Sequence, residues 1–202
     1  RSRGLGDVYK RQPEVKIRRM LFDLLDPGKN DSILEFGHGD GRNIAGLVET
    51  GAGAKVWGVD MDPAENAAAG EKLRKLGSDA VLALYDGKRI PFKNHSFDKV
   101  YSCLVFHHLA SDVKEHIANE LYRVLKPGGK IIIADWGRPA NAILGLGFRV
   151  VRKLNGYRTS RDNRGGVVPR LLEKCGFERV EEKERVNFPL GTFSFHTAYR
   201  PG

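Results

Sequence analysis

From Pro13 onward, short apolar runs alternate with longer segments of helical period, and this restricts the chain to very few folds. The runs "SILEFG", "KVWGVD", "AVLALYD", "FDKVYSCLVF" and "KIIIADW" read as five strands. Between them lie helical segments over residues 42–50, 63–77 and 112–129, punctuated by proline near a start or glycine at a stop. Ahead of them, "PEVKIRRMLFDLLD" sets Val15, Ile17, Leu21, Leu24 and Leu25 on one helical face. Strands separated by helices must run parallel, because the helix carries the chain back to the same end of the sheet. After a basic segment, "VPRLLEKCGF" is a short helix. Two further β-like runs follow, "RVEEKERVNF" and "GTFSFHTAYR", joined by Pro189–Leu190–Gly191. The expectation is an α/β fold: a doubly wound, mostly parallel, seven-stranded sheet closed by a C-terminal antiparallel hairpin, with helices on both faces.

At 202 residues the chain suffices for one domain with its own core. No apolar run approaches the roughly 18 residues that span a bilayer. The first residues are polar and basic, so no secretory signal is read there. Cys103 and Cys175 are the two cysteines; they make no disulfide framework and show no metal spacing. A reducing cytoplasm and no metal site are expected. Residues 1–12, "RSRGLGDVYKRQ", show neither period and read as a tail foreign to the fold or disordered, leaving 13–202 as the single domain. Net charge is +9, and residues 138–170 alone hold eight basic residues against one acid, Asp162.

The loop "ILEFGHGDGRN" carries the chemistry. Gly37, Gly39 and Gly41 follow the first strand, where open α/β sheets bind ligands. Dinucleotide sites use G-x-G-x-x-G and rest a pyrophosphate on a helix N-terminus. Here the third glycine comes one residue early, and Glu35 stands just ahead. A carboxylate there repels phosphate and suits a cation. The ligand implied lies close against backbone, is positively charged and lacks phosphate, as S-adenosylmethionine does. Asp60 ends the second strand, placed to accept both ribose hydroxyls; that device serves any nucleoside, NAD included. Asp86 ends the third strand beside Gly87. It can meet an adenine amino group or cap a turn.

These stretches, with "VWGVDMDP", "LYDGKRIPFKNHSFDKVYSCLVFHHL" and "ELYRVLKPGGKIIIADW", resemble the class I S-adenosylmethionine-dependent methyltransferases, nearest the ubiquinone/menaquinone biosynthesis C-methyltransferase group. The resemblance runs from about residue 30 to 137. It implies a Rossmann-like fold, S-adenosyl-L-methionine as cofactor and a small-molecule acceptor. It also implies that Glu35, Gly37, Gly39 and Gly41 hold the methionine end, Asp60 the ribose, and Asp86 with Gly87 the adenine. The resemblance also implies that His38, Met61 and Leu104 belong to the cofactor-binding set; His38 stands where many relatives carry a smaller residue, and its role is open.

Methyl transfer is in-line displacement at a sulfonium carbon, so the protein mainly supplies position and electrostatics. A base is needed only where the acceptor loses a proton. The fourth strand ends in "LVFHHL". If its backbone is extended, His107 and His108 point to opposite sides, one into the pocket as candidate catalytic base and the other structural. Asp135 and Trp136 close the fifth strand and can border the pocket, cap or pack. Cys103 reads as a small core residue. In the basic segment, "AILGLGFRVVRKLNGYR" sets Ile143, Leu144, Gly147, Phe148 and Val151 on one helical face and Arg149, Arg152 and Lys153 toward the other. Such a helix can be a lid admitting an apolar or anionic acceptor, a lipid or quinone precursor for example. It can also lie on an anionic membrane surface or simply pack. A nucleic-acid partner finds no recognition module or aromatic platform in the sequence.

Overall fold

The computed structural model describes residues 5–137, 167–188 and 191–202. Seven strands form one sheet in the order β3-β2-β1-β4-β5-β7-β6. They are β1 (Ser32–Phe36), β2 (Lys55–Asp60), β3 (Val81–Leu84), β4 (Phe97–Cys103), β5 (Leu125–Trp136), β6 (Glu178–Phe188) and β7 (Gly191–Tyr199). The first five run parallel; β7 lies between β5 and β6, antiparallel to both. The chain builds β1, β2 and β3 outward in one direction, then returns to place β4 on the other side of β1. That reversal opens a crevice beyond the carboxyl ends of β1 and β4.

Helices α1 (Leu5–Leu25), α2 (Arg42–Glu49) and α3 (Pro63–Lys75) cover one face; α4 (Ser111–Val124) and α5 (Val167–Lys174) cover the other. Strand residues alternate between the two cores. Ile33, Tyr101 and Ile132 pack with Leu21, Leu25 and Ile44 under the first set. Leu34, Val100 and Ile131 pack with Ile117, Leu121 and Leu172 under the second. Burial on both sides explains why these strands read as nearly continuous apolar runs.

Helical backbone begins at Leu5, so Pro13 lies within α1, and part of the stretch read as a tail is helical. The far end of α1 turns out through Asp26 at φ 48°. Its last carbonyls are met by lysines from the sheet: Lys130 Nζ donates to Leu24 O and Lys99 Nζ to Asp26 O. Cations suit a helix C-terminus. Helix α4 stops at Val124, ahead of Pro127, because a proline pushes the preceding backbone toward extended conformations. Arg200 reaches back to this corner, donating to Tyr122 O and Leu125 O at 2.8 and 2.9 Å. The exposed edge strand β6 carries Glu178, Glu181, Glu182 and Glu184, charges that disfavour edge-to-edge pairing.

Two glycines have opposite meanings. A Cβ on Gly58 of β2 would stand 2.5 Å from Ile44 Cδ1 and 2.7 Å from the His38 ring. A Cβ on Gly70 of α3 would meet nothing within 4 Å. Gly58→Ala should therefore destabilise by about 1–3 kcal/mol, and Gly70→Ala should stabilise by about 0.5–1 kcal/mol. Urea unfolding of the two variants checks both signs.

Candidate active site

The loop after β1 needs glycine at three positions for different reasons. All three have positive φ: 74° at Gly37, 50° at Gly39 and 73° at Gly41. A Cβ on Gly37 would stand 2.4 Å from Val105 Cγ2, and one on Gly41 would stand 2.8 Å from Ala69 Cβ of α3. A Cβ on Gly39 would meet no protein atom within 4 Å, because that position faces the crevice. Protein groups tie the loop down. Gly37 N–H donates to Val59 O and Gly39 N–H to Asp60 Oδ2, both at 2.8 Å. Asp60 Oδ1 accepts from Asp62 N–H at 2.9 Å, and Asp62 in turn caps α3. His38 is buried, with Nδ1 2.7 Å from Gly39 O and Nε2 3.2 Å from Asn66 Oδ1, so it braces the loop against α3.

Two cavities adjoin this loop. One, of about 280 Å³, lies toward α1 and is lined by Arg18, His38, Asn43 and Cys103. The other, of about 480 Å³, is lined by Asp60, Met61, Tyr85, Val105 and His108. Gly37, Gly39 and Leu104 border both, which makes them two halves of one cleft of small-molecule size. Met61 and Leu104 are apolar yet 58% and 39% exposed. Leu104 also has φ 61°. A left-handed leucine costs about 1–2 kcal/mol, and such strain concentrates at functional sites.

Glu35 differs from expectation. It lines neither cavity. The side chain is fully buried on the α1–α2 side, where Asn43 Nδ2 donates to Oε1 at 2.8 Å and Tyr101 O–H to Oε2 at 3.1 Å. Burial, only partly offset by those bonds, pushes its pKa up to about 8. It meets the cleft through Asn43 rather than directly. Asp86 is exposed and also outside both cavities. Its Oδ1 accepts from Lys88 N–H and Arg89 N–H at 2.9 and 3.1 Å, the turn-capping alternative, and these bonds hold its carboxyl below the usual range. Gly87 abuts the rim, where a Cβ would lie 3.6 Å from Met61 Cε.

The histidines are not on extended backbone. Strand β4 ends at Cys103, and Phe106–His108 is a 3-10 turn, so the two rings lie side by side with centroids 3.8 Å apart. Asp135 takes His107: Oδ1 is 2.7 Å from Nδ1, and Oδ2 accepts from the His107 backbone N–H at 2.9 Å. His108 borders the cleft beside Asp60 and Leu104. Burial, and then His107, lower its pKa and favour the neutral ring. Cys103 lines the α1 half of the cleft, with its thiol pushed up by burial. Sequence reasoning did not single out Arg18, Asn43 or Tyr101. Tyr101 was within reach, because it pairs with Glu35 once β4 is set beside β1. Arg18 carried no signal, since only the docking of α1 brings it to the loop. The basic segment falls mostly outside the described residues. Among the described residues no group of three or more His, Cys, Asp or Glu could hold a metal ion.

The residues present fit S-adenosylmethionine. The Gly37 and Gly39 N–H groups are already bonded to protein, which leaves little for a phosphate. Asp60 retains lone pairs, and two apolar side chains, Met61 and Leu104, border the larger half. Glu35 binds a proton up to about pH 8 when folded, against an ordinary carboxyl value of 4.5. The folded state therefore holds the extra proton between those values, and stability falls as pH rises through that window. Relative to Glu35→Gln, the melting temperature of the unmodified protein should drop on the order of 5 °C between pH 5 and 8.5. A constant difference across that range contradicts the assignment.

Residues 34–133 match the family described as "Methyltransferase domain". A demethylmenaquinone methyltransferase of Thermus thermophilus is 31% identical over 137 residues, which are 68% of this chain and 61% of that protein. The chain thus spans less than two thirds of this relative. The crystal structure of YcgJ from Bacillus subtilis superposes with TM-score 0.77 at 12% identity, covering 93% of this chain and 99% of the other. Phosphoethanolamine N-methyltransferase 2 of Haemonchus contortus, bound to S-adenosylhomocysteine, gives TM-score 0.74 at 19% identity, covering 92% and 52%. Both share the fold. With the family match lying across the very strands that build the cleft, the chain belongs to the class I S-adenosylmethionine-dependent methyltransferases.

Proposed function

We propose that the protein transfers a methyl group from S-adenosylmethionine to a small-molecule acceptor, a lipid or quinone precursor, in the cytoplasm. The observation that supports this reading best is the cleft itself. Two of its loop amides, those of Gly37 and Gly39, are already bonded to Val59 and Asp60, so it suits a phosphate-free nucleoside cation. Asp60 holds the ribose through its free lone pairs. Met61 and Leu104 cover the faces of the purine, with Gly87 at its edge and Asp86 shaping the turn. Gly39 lets the amino-acid end lie on bare backbone. When bound, the sulfonium supplies a methyl group with its own leaving group. The quinone-type acceptor is favoured by the name of the Thermus relative, a demethylmenaquinone methyltransferase. In this reading residues 138–170 form the lid that admits the acceptor, with basic groups toward an anionic partner or membrane surface.

His108 acts on the acceptor. Its neutral ring, bordering the cleft, takes the proton that the acceptor loses, and the Asp135–His107 pair fixes the ring beside it. Calorimetry with S-adenosylmethionine, S-adenosylhomocysteine and NAD tests the cofactor; affinity for NAD alone overturns it. Incubation with labelled S-adenosylmethionine and a panel of demethylated quinones and lipids, with products identified by mass spectrometry, tests the acceptor class. His108→Gln should lower turnover about 100-fold. It should also remove the acid limb of the pH–rate profile, a limb lying below the ordinary imidazole range because burial favours the neutral form. Full activity in that variant ends the role of His108 as a base.

A further inference from the structure

The two edges of the sheet are built differently. Strand β6 carries four glutamates at one edge. Strand β3, at the other, pairs with β2 alone, and residues 80–85, between Asp79 and Asp86, carry no charge. Val81 and Leu84 are each 49% exposed there, and Leu76, at the end of α3, is 42% exposed. Tyr85 N–H donates inward to Asp60 O, so by the alternation of a strand the peptide groups of Leu82 and Leu84 point outward. A short apolar edge with an open ladder is a template for another strand.

Helix α3, beside this edge, has matching features. It packs on both β2 and β3. Its outer surface is low, because Ala67 and Ala68 are exposed and a Cβ on Gly70 would meet nothing within 4 Å. A groove of about 580 Å³ runs between α3 and β3. Gly70 and Leu82 both line it, so the middle of the helix lies beside the middle of the strand. The helix has its charges sorted by end, with Glu65 in the first turn and Lys72, Arg74 and Lys75 in the last. Lys72 and Lys75 are taken by Asp40 and Glu71 of the same chain. Arg74 is exposed and makes no ion pair among the described residues.

We propose that β3 pairs antiparallel with β3 of a second copy, about a two-fold axis through Leu82, joining the two sheets into one. On this axis Leu82 exchanges hydrogen bonds with the partner's Leu82, and Leu84 N–H reaches the partner's Ala80 carbonyl. Asp79 is offset from the partner's Asp86, so like charges do not stand opposite each other. The same axis lays the two α3 helices antiparallel on one face. They are two strand spacings apart, roughly 10 Å, the distance at which helices pack. The acidic start of each helix then meets the basic end of the other, and Glu65 faces the partner's Arg74. A two-fold contact requires such self-complementarity. The edge at β6, which would set glutamates against glutamates, lacks it.

Sedimentation equilibrium from low-micromolar to near-millimolar protein tests this, and should show monomer and dimer in exchange. Amide hydrogen exchange should slow with rising concentration at residues 80–84 and along α3, and not along β6. Leu84→Pro removes an N–H that β2 does not use, a change an edge strand tolerates. It should weaken the dimer about 10-fold or more. Arg74→Glu should weaken it too, and adding Glu65→Lys to that chain should restore it, which a folding defect would not allow. Circular dichroism shows whether each variant is folded; if Leu84→Pro is not, the charge exchange and the amide pattern of the unmodified protein decide. A monomer at every concentration overturns the proposal. So does a dimer that folded Leu84→Pro leaves intact, or one whose concentration-dependent protection lies away from β3 and α3.

Discussion

The carboxylate of Asp60 holds the amide of Gly39, and the cleft takes its shape from that bond. A carboxylate receiving a backbone N–H makes a charge-assisted hydrogen bond, stronger than a neutral one. The bond ties the loop after β1 to the end of β2. It also occupies a donor that would otherwise face a phosphate. The same carboxylate links onward through Asp62 to the start of α3. Gly41 lets α2 close on Ala69 of α3, and Gly37 lets Val105 close from β4. Loop, helix starts and strand ends are therefore one packed unit.

Charge near this unit is arranged by depth. Glu35, at the bottom, is removed from water and holds a proton. Its hydrogen-bond partners, Asn43 and Tyr101, satisfy both oxygens, as a buried carboxyl requires. Asn43 carries the influence of this acid outward to Arg18 at the cleft wall. On the other side of the sheet switch point, Asp135 fixes His107, which in turn lies against His108. Arg18 and His108, both bordering the cleft, are thus each set against a neighbour that a buried acid holds in place.

Much of the fold was legible in the sequence, because burial on both faces of a parallel sheet leaves plain apolar runs. The boundaries were less so. Strand β4 gives way at Leu104 to a left-handed turn that no local residue announces, and this is why the histidines lie side by side. The insertion of β7 between β5 and β6 also escapes local reading, since a hairpin looks the same whichever strand joins the sheet. Within the site, the glycines and Asp60 were legible through spacing. Asp86 was ambiguous and lies in a turn, where backbone N–H groups two and three residues on satisfy it.

By itself the sequence determined the strand–helix alternation, the glycine bend after the first strand and the acid that ends the second. These are local matters of period, of glycine's freedom at positive φ and of distance along the chain. Only the tertiary structure decided which way Glu35 turns, that Tyr101 and Asn43 receive it, that Arg18 reaches the loop, and that His108 rather than His107 borders the cleft. Those outcomes depend on side chains far apart in the chain. Their meeting is set by how helices dock on a twisted sheet, and no short-range pattern encodes that.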